Sequence, residues 1–242
     1  MRRSTNLVLG AAVAALAIST LGAPVAASSK AYVQIVNGIP GKRIDVCVND
    51  KEIKSALPYG KVIKRQLHGG SKKIKFRKKS PGVCRGKRLA SRTVPLPGGS
   101  DKTIVATNKQ PTKVVVFDNA GLSTPAIHPP DSAWAVRYAA NVDLGVKFDI
   151  DSATQIPLTP AVDPIWTKGD QIALPLSVGP GYPSLLLFTL WVTLPESTIP
   201  LAGPVVGSLS EGQRLQQVVV GNHPGNIRIV QFKQPIKFPF TP

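Results

Sequence analysis

Acidic residues, cysteine and histidine are scarce in this 242-residue sequence, and each shortage disfavours a class of protein. There are 13 Asp and Glu against 30 Lys and Arg, with two cysteines and three histidines. Two cysteines without a spaced set of partner ligands do not build a zinc site. A serine-nucleophile elbow of the Gly-x-Ser-x-Gly type is absent, and each histidine neighbours Gly or Pro. A Ser-His-Asp catalytic site is therefore disfavoured, and no cofactor or metal is predicted.

The composition indicates a turn-rich, mostly β protein. Hydrophobic residues make up 43% of the chain and charged residues 18%, which is enough apolar surface for a packed core. The chain has 23 Pro and 21 Gly, many short Val- and Ile-rich runs, and no long helical heptads. These features disfavour an all-α protein or a coiled coil.

The N-terminal residues resemble an export signal. Arg2 and Arg3 precede the apolar run Leu7–Ala17, and Val25 and Ala27 are small residues suited to a cleavage site. We therefore predict a signal peptide over residues 1–27, cleaved on export, and a secreted or cell-wall location. A membrane anchor is the alternative, and polar residues and a proline that interrupt the end of the run disfavour it. The remaining chain has no predicted transmembrane anchor.

Export determines the expected state of the two cysteines. In an oxidising compartment Cys47 and Cys84 are predicted to form a disulfide. Closing a loop of this length stabilises a fold by roughly 4 kcal/mol in the chain-entropy model. The alternative, a free catalytic thiol, needs a nearby base.

Charge and strand patterns divide the chain in two. Residues 28–120 carry 21 Lys and Arg against 5 Asp and Glu, whereas residues 121–242 carry 7 against 8. A proline-rich linker is predicted at 121–132, between domains at 28–120 and 133–242. Seven short strands are predicted in the first domain, and similar segments recur about 100 residues later. The predicted fold is all-β, with two tandem immunoglobulin-like antiparallel β-sandwich domains.

Alternation within one strand predicts where the disulfide lies. Ile44, Val46 and Val48 alternate with polar residues, so they are expected to face a core. Cys47 is then on the opposite face, and its bond would hold the Pro81–Arg88 loop against the outside of the sheet.

The first domain also resembles a known family. The relevant elements are Val33-Gln-Ile-Val-Asn37, Ile44-Asp-Val-Cys-Val-Asn49, Leu57-Pro-Tyr-Gly60 and the Gly69-Gly70 turn. They are similar to the bacterial exported domain-of-unknown-function family 4397 over residues 31–118, with a diverged second copy at 133–233. The family usually has His-Ala-Ser-Pro where this chain has Asn37-Gly-Ile-Pro40. The resemblance implies an immunoglobulin-like sandwich at the cell envelope and supplies no activity.

A dense basic segment is the main candidate site. Ile74 and Phe76 are predicted to point inward, so Lys73, Lys75 and Arg77 should share an outward face. Such a face is expected to bind an anionic cell-wall polymer or another anionic surface. Specific nucleic-acid binding is disfavoured because only one aromatic residue lies among the cations. The alternative is a charged surface that serves solubility. The predicted polyanion-binding residues are Lys64, Arg65, Lys72, Lys73, Lys75, Arg77, Lys78, Lys79, Arg85, Lys87 and Arg88.

The second domain offers one apolar candidate. The continuous apolarity of Leu185–Trp191 predicts a strand buried on both sides, packed on its own core and on the first domain. A contact with a partner protein or with lipid is the alternative. The chain is therefore predicted to be a non-catalytic envelope protein. The alternatives are a secreted hydrolase with a site between the domains and a purely structural or adhesive subunit.

Overall fold

The computed structural model describes residues 30–107, 113–119, 132–152, 165–176, 186–194, 199–210 and 212–235. Sixteen β-strands account for most of these residues. The predicted signal peptide and residues 121–131 of the predicted linker lie outside the described ranges, and Ser132 begins a strand. In the described ranges, no helix is both long and apolar enough to cross a membrane.

The first eight strands form two four-stranded sheets. Sheet A has the order β4-β1-β7-β8 and sheet B has the order β3-β2-β5-β6. All strand pairs are antiparallel except β1 with β7. The strands are β1 Lys30–Asn37, β2 Ile44–Val48, β3 Lys51–Leu57, β4 Val62–His68, β5 Gly70–Lys78, β6 Arg88–Leu96, β7 Asp101–Ala106 and β8 Val114–Asp118.

The last eight strands repeat this arrangement position by position. Sheet C has the order β12-β9-β15-β16 and sheet D has the order β11-β10-β13-β14. The parallel pair is β9 with β15, which corresponds to β1 with β7. The strands are β9 Ser132–Tyr138, β10 Leu144–Ser152, β11 Ile165–Trp166, β12 Gln171–Leu176, β13 Leu186–Thr193, β14 Pro200–Leu209, β15 Gln213–Val220 and β16 Arg228–Pro235.

Each pair of sheets encloses an apolar core, so the predicted all-β sandwich class is confirmed. Val33 and Ile35 of sheet A pack with Val46 and Phe76 of sheet B in one cluster. In the second half, a separate cluster joins residues of sheets C and D, including Trp134 and Leu190. The alternation of β2 is as predicted, because Ile44, Val46 and Val48 all lie in the first core.

One strand of the first half was not predicted. Asn49 and Asp50 have positive φ angles of 48° and 65°, and they turn the chain from β2 directly into β3. Such two-residue turns suit the right-handed twist of a hairpin. β3, Lys51–Leu57, lies at the edge of sheet B and is bulged. A strand in that position does not need a regular apolar face, and the sequence of β3 has no apolar alternation that would predict it.

Sheets A and C pack on each other, which produces a stack in the order B, A, C, D. The outer face of sheet A contributes aliphatic and aromatic side chains that meet those of sheet C. A face buried in this way cannot bind a ligand, so the outer faces of sheets B and D are the broad faces left on the stack. The contact cluster comprises Val36, Val105, Val115, Phe117, Ala139, Val218, Val220, Val230 and Phe232.

Candidate functional site

The disulfide lies on the outer face of sheet B. Cys47 is fully buried and is bonded to Cys84, 37 residues away, which confirms the predicted pair. The loop that carries Cys84 is also held by backbone and side-chain hydrogen bonds. Arg77 Nη1 donates to the Gly86 carbonyl at 2.8 Å, and the Lys78 N–H donates to the Lys87 carbonyl at 2.9 Å. The loop is therefore fastened across the sheet, as the alternation of β2 predicts.

Gly86 allows the loop to lie this close. A Cβ atom at residue 86 would stand 1.8 Å from the Lys78 carbonyl oxygen. No side chain fits at that distance, so the loop backbone reaches β5 only because this residue is glycine.

Cations gather on the outer face of sheet B. Ile74 and Phe76 are fully buried. Lys73, Lys75 and Arg77 alternate with them along β5 and therefore point away from the core. Arg88 of β6 lies opposite Arg77 in the strand register. We call the outward side chains of Lys73, Lys75, Arg77 and Arg88, with those of the adjoining loop residues Lys79, Arg85 and Lys87, the cationic face.

Two carboxylates neutralise part of this face. Lys75 Nζ lies 2.5 Å from Asp50 Oδ1, and this hydrogen bond is the main reason that the pKa of Asp50 is lowered. The charges of Lys75, Arg77 and Lys73 lower this pKa further. Asp45 is buried beneath the face, where its Oδ1 accepts from Ser55 Oγ and the Ala56 N–H at 3.1 and 2.9 Å.

Five cations of the face, Lys73, Lys79, Arg85, Lys87 and Arg88, are exposed to solvent. Lys75 and Arg77 are half-buried, and Lys79 donates to Ser55 Oγ at 2.6 Å. These three help to hold the face together. The exposed ends available to a ligand are those of Lys73, Arg85, Lys87 and Arg88.

The remaining predicted site residues lie elsewhere. Lys72 and Lys78 alternate to the other side of β5, near its two ends. Lys64 and Arg65 are in β4 of sheet A, and Lys64 Nζ donates to the Lys233 carbonyl of the second half. Arg65 Nη2 donates to the Ile53 carbonyl at 3.3 Å. The structure thus separates these two residues from the cationic face.

A buried polar layer joins the halves beside the apolar contact. Arg214 Nη1 lies 2.9 Å from Asp101 Oδ2, and Gln234 Nε2 donates to the same oxygen at 3.0 Å. Thr103 Oγ1 donates to Gln216 Oε1 at 2.9 Å, also across the interface. Arg137 lies 5.1 Å from the centre of the Phe117 ring, and burial lowers the pKa of Arg137 to about 9. This layer was not predicted.

A groove opens where the polar layer reaches the surface. It has a volume of about 340 Å³ and lies between β1 and β4 of sheet A and the end of β16 in sheet C. Packed sheets diverge towards their corners because each is twisted, which accounts for a space at this edge. We call this space the groove. Its walls include Tyr32, Gln34, Lys64, Gln66, Gln234 and Pro235.

The apolar strand of the second half is not buried on both sides. It forms β13, a central strand of sheet D, in which Leu190 and Val192 are fully buried. Leu187, however, is 38% exposed, and Val206 of the neighbouring strand is 58% exposed. The predicted packing on the first domain is also wrong, because sheet C covers sheet A. Leu185 lies outside the described residues.

Within the described part of the chain, no group of three or more His, Cys, Asp or Glu side chains is placed to hold a metal ion. His223 serves a local structural role. Its Nδ1 accepts from the Gly225 N–H at 3.1 Å in the turn before β16.

No family model and no curated protein matches this chain. Several solved structures are similar to it at 8–12% identity and TM-scores of 0.23–0.25. One is an α-glucan-binding streptococcal virulence factor, with 12% identity over 82% of this chain and 96% of that chain, at a TM-score of 0.25. Another is a putative cell adhesion protein from Bacteroides uniformis, with 8% identity over 86% and 99% and a TM-score of 0.23. A third is a C-terminally truncated tip fimbrial protein from Porphyromonas gingivalis, with 10% identity over 86% and 100% and a TM-score of 0.23. Likenesses this weak assign no ligand or partner to this chain.

Proposed function

We propose that this chain is an exported, non-catalytic protein of the cell envelope that binds an anionic polymer through the cationic face. The observation that carries the proposal is the position of that face in the stack. Sheet C covers sheet A, so the outer face of sheet B is the broad sheet face that the basic half keeps open. Lys73 and Arg88 project from it, and Lys87 lies in the loop beside it.

Long-range electrostatics favours a polymeric ligand. Residues 28–120 carry 21 Lys and Arg against 5 Asp and Glu, so a polyanion experiences attraction well before contact. Side chains two apart on one strand are separated by roughly 7 Å, and neighbouring strands by about 5 Å. A row of cations at these spacings can contact successive charges of an extended chain. Surface charge contacts of this kind weaken as salt screens them.

Several observations support the remaining parts of the proposal. The Cys47–Cys84 disulfide is typical of proteins that leave the cytoplasm. The identical strand order of the two halves supports two related domains at 28–120 and 133–242. Membership of family 4397 remains a prediction. None of the described residues that line the groove is His, Ser or Cys, so the groove lacks the base and nucleophile of a Ser-His hydrolase.

A retention assay with a triple variant tests the proposal. Lys73, Lys87 and Arg88 are changed together to Gln, which leaves the disulfide loop and the Asp50 ion pair intact. Purified cell walls that retain their teichoic acid serve as the probe, at about 50 mM salt. Loss of three exposed charge contacts, each of up to about 1 kcal/mol, is expected to weaken binding roughly 10-fold or more. The parent protein is expected to be released by about 0.5 M salt.

The matched control removes the same charge elsewhere. Lys42, Lys61 and Lys113 are exposed and lie outside sheet B, and changing them to Gln lowers the net charge by the same three units. The control is expected to bind nearly as the parent does. Equal retention of the two triple variants would show that net charge, not the cationic face, governs binding.

An adhesive or structural role is the alternative, favoured by the exposed Leu187 and Val206 on sheet D. A protein of that kind would hold its partner through apolar contact. Retention on cell walls that persists at 0.5 M salt in all three proteins would favour this alternative over the proposed one.

A further inference from the structure

We propose that the groove between the two halves binds an acidic saccharide unit, meaning a hydroxyl-bearing ring with a carboxylate. The groove is formed by sheet A and β16 and is separate from the cationic face. The inference therefore does not depend on the function proposed for that face. Its volume of about 340 Å³ is at the lower end of the range for small-molecule sites.

A buried hydrogen-bond acceptor on Gln234 favours a ligand that carries a hydroxyl donor. Gln234 is 7% exposed, and its Nε2 donates to Asp101 Oδ2 at 3.0 Å. Because a carboxylate only accepts, this bond determines the orientation of the amide and leaves Oε1 as the acceptor. Oε1 is buried and has no hydrogen-bond partner. A buried polar atom without a partner costs free energy, so a small shift of the Gln234 side chain that lets a ligand hydroxyl reach Oε1 would remove that cost.

The positive charge of Lys64 favours a ligand that also carries an anionic group. Lys64 lines the groove, whereas the Arg65 guanidinium donates to the Ile53 carbonyl of sheet B and so is turned away from it. Among the described residues that line it, Asp101 is the one carboxylate, and it already accepts from Arg214 and Gln234, so its charge is offset from within the protein. The Lys64 ammonium, which already donates to the Lys233 carbonyl, is the cation that remains at the groove, and it favours a ligand carboxylate beside it.

The apolar part of the wall fits a ring. Tyr32 is half-buried and lines the groove with Pro235 and Lys64. An aromatic ring offers a flat apolar surface with a polar edge, which suits the C–H face of a saccharide. Gln66 is exposed and supplies a further amide group for hydroxyls. An acidic saccharide satisfies the acceptor, the Lys64 charge and the apolar wall together.

Calorimetry with a galacturonic acid trimer tests this assignment, using the full mature chain and the neutral galactose trimer for comparison. The acidic trimer is expected to bind and the neutral one to bind at least 10-fold more weakly. Lys64→Met removes the charge and keeps the aliphatic chain, so it is expected to weaken binding of the acidic trimer by roughly 10- to 100-fold. Lys61→Met is the matched control, because Lys61 is exposed and does not line the groove.

The outcomes separate this site from the cationic face. Unchanged trimer binding by the Lys73, Lys87 and Arg88 triple variant is expected, since none of those residues lines the groove. No binding of the acidic trimer, equal affinity for the neutral trimer, or equal affinity of the Lys64 and Lys61 variants would overturn the assignment. A thermal melt of each variant checks that the fold is retained.

Discussion

Changing Asp101 to Asn is expected to destabilise the second half as well as the first. Asp101 accepts from Arg214 and Gln234 across the interface, at 2.9 and 3.0 Å. The Arg214 side chain is 2% exposed and the Asp101 side chain 24% exposed. Burial lowers the pKa of Arg214, and the Asp101 charge opposes that shift, so the carboxylate helps to keep the guanidinium charged.

The magnitude follows from the burial of the pair. Removing one partner of a buried ion pair costs about 3–5 kcal/mol, because the other charge stays in a poorly solvated place. Asp101 is partly accessible to water, so the lower end, about 3 kcal/mol, is expected. That is a large share of the roughly 5–15 kcal/mol that stabilises an ordinary domain.

The assay is urea unfolding followed by tryptophan fluorescence. All three tryptophans, Trp134, Trp166 and Trp191, lie in the second half, so the signal reports a half that does not contain residue 101. Asp118→Asn is the matched control. Asp118 pairs with Lys102 at 2.7 Å within the first half and is 56% exposed, so the control should lose less than about 1 kcal/mol. Equal losses in the two variants would refute the claim that the polar layer couples the halves.

Two further predictions concern the disulfide loop and Lys168, a half-buried lysine in the turn before β12. Gly86→Ala should lower the unfolding free energy by roughly 1–3 kcal/mol and speed reduction of the disulfide, whereas Gly225→Ala, whose Cβ meets nothing closer than 3.5 Å, should change neither. Urea melts and thiol titration compare the two. Burial lowers the pKa of Lys168 to about 8 from 10.5, so the unfolded chain binds more protons between these values and stability should rise with pH there. Lys168→Met should reduce this rise. If the unfolding free energy of the variant rises between pH 8 and 9.5 as steeply as that of the parent, Lys168 is not the group responsible.

Local pattern was informative wherever one face of a strand meets a core. The alternation of β2 placed Ile44 and Val46 inside and Cys47 outside, and the alternation of β5 placed Lys73 and Arg77 outward, because successive side chains in a strand point to opposite faces. β3 was missed since the side chains of this edge strand are mostly half-buried on both faces, and such a strand carries no apolar alternation.

The alternation of side chains along a strand did not reveal the residues of the interface between sheets A and C. Gln34 and Thr103 lie on the outer face of sheet A and are buried under sheet C. Polar residues that alternate with apolar ones in a strand are normally interpreted as facing solvent, so the sequence does not indicate that this face is buried. Grouping Lys64 with Lys73 had the same origin, since closeness along the chain does not reveal that β4 and β5 belong to different sheets.

The amino-acid order was sufficient for the all-β class, the disulfide pair and the inward or outward side of individual strands. These depend on the composition, on the presence of two cysteines, and on the two-residue alternation of side chains along a strand. All three can be taken directly from the sequence. The stacking of sheet A on sheet C, the buried Asp101–Arg214 pair and the groove became visible only in the folded chain. They depend on which sheet faces meet, and this is decided by the joint fit of side chains from strands more than 100 residues apart.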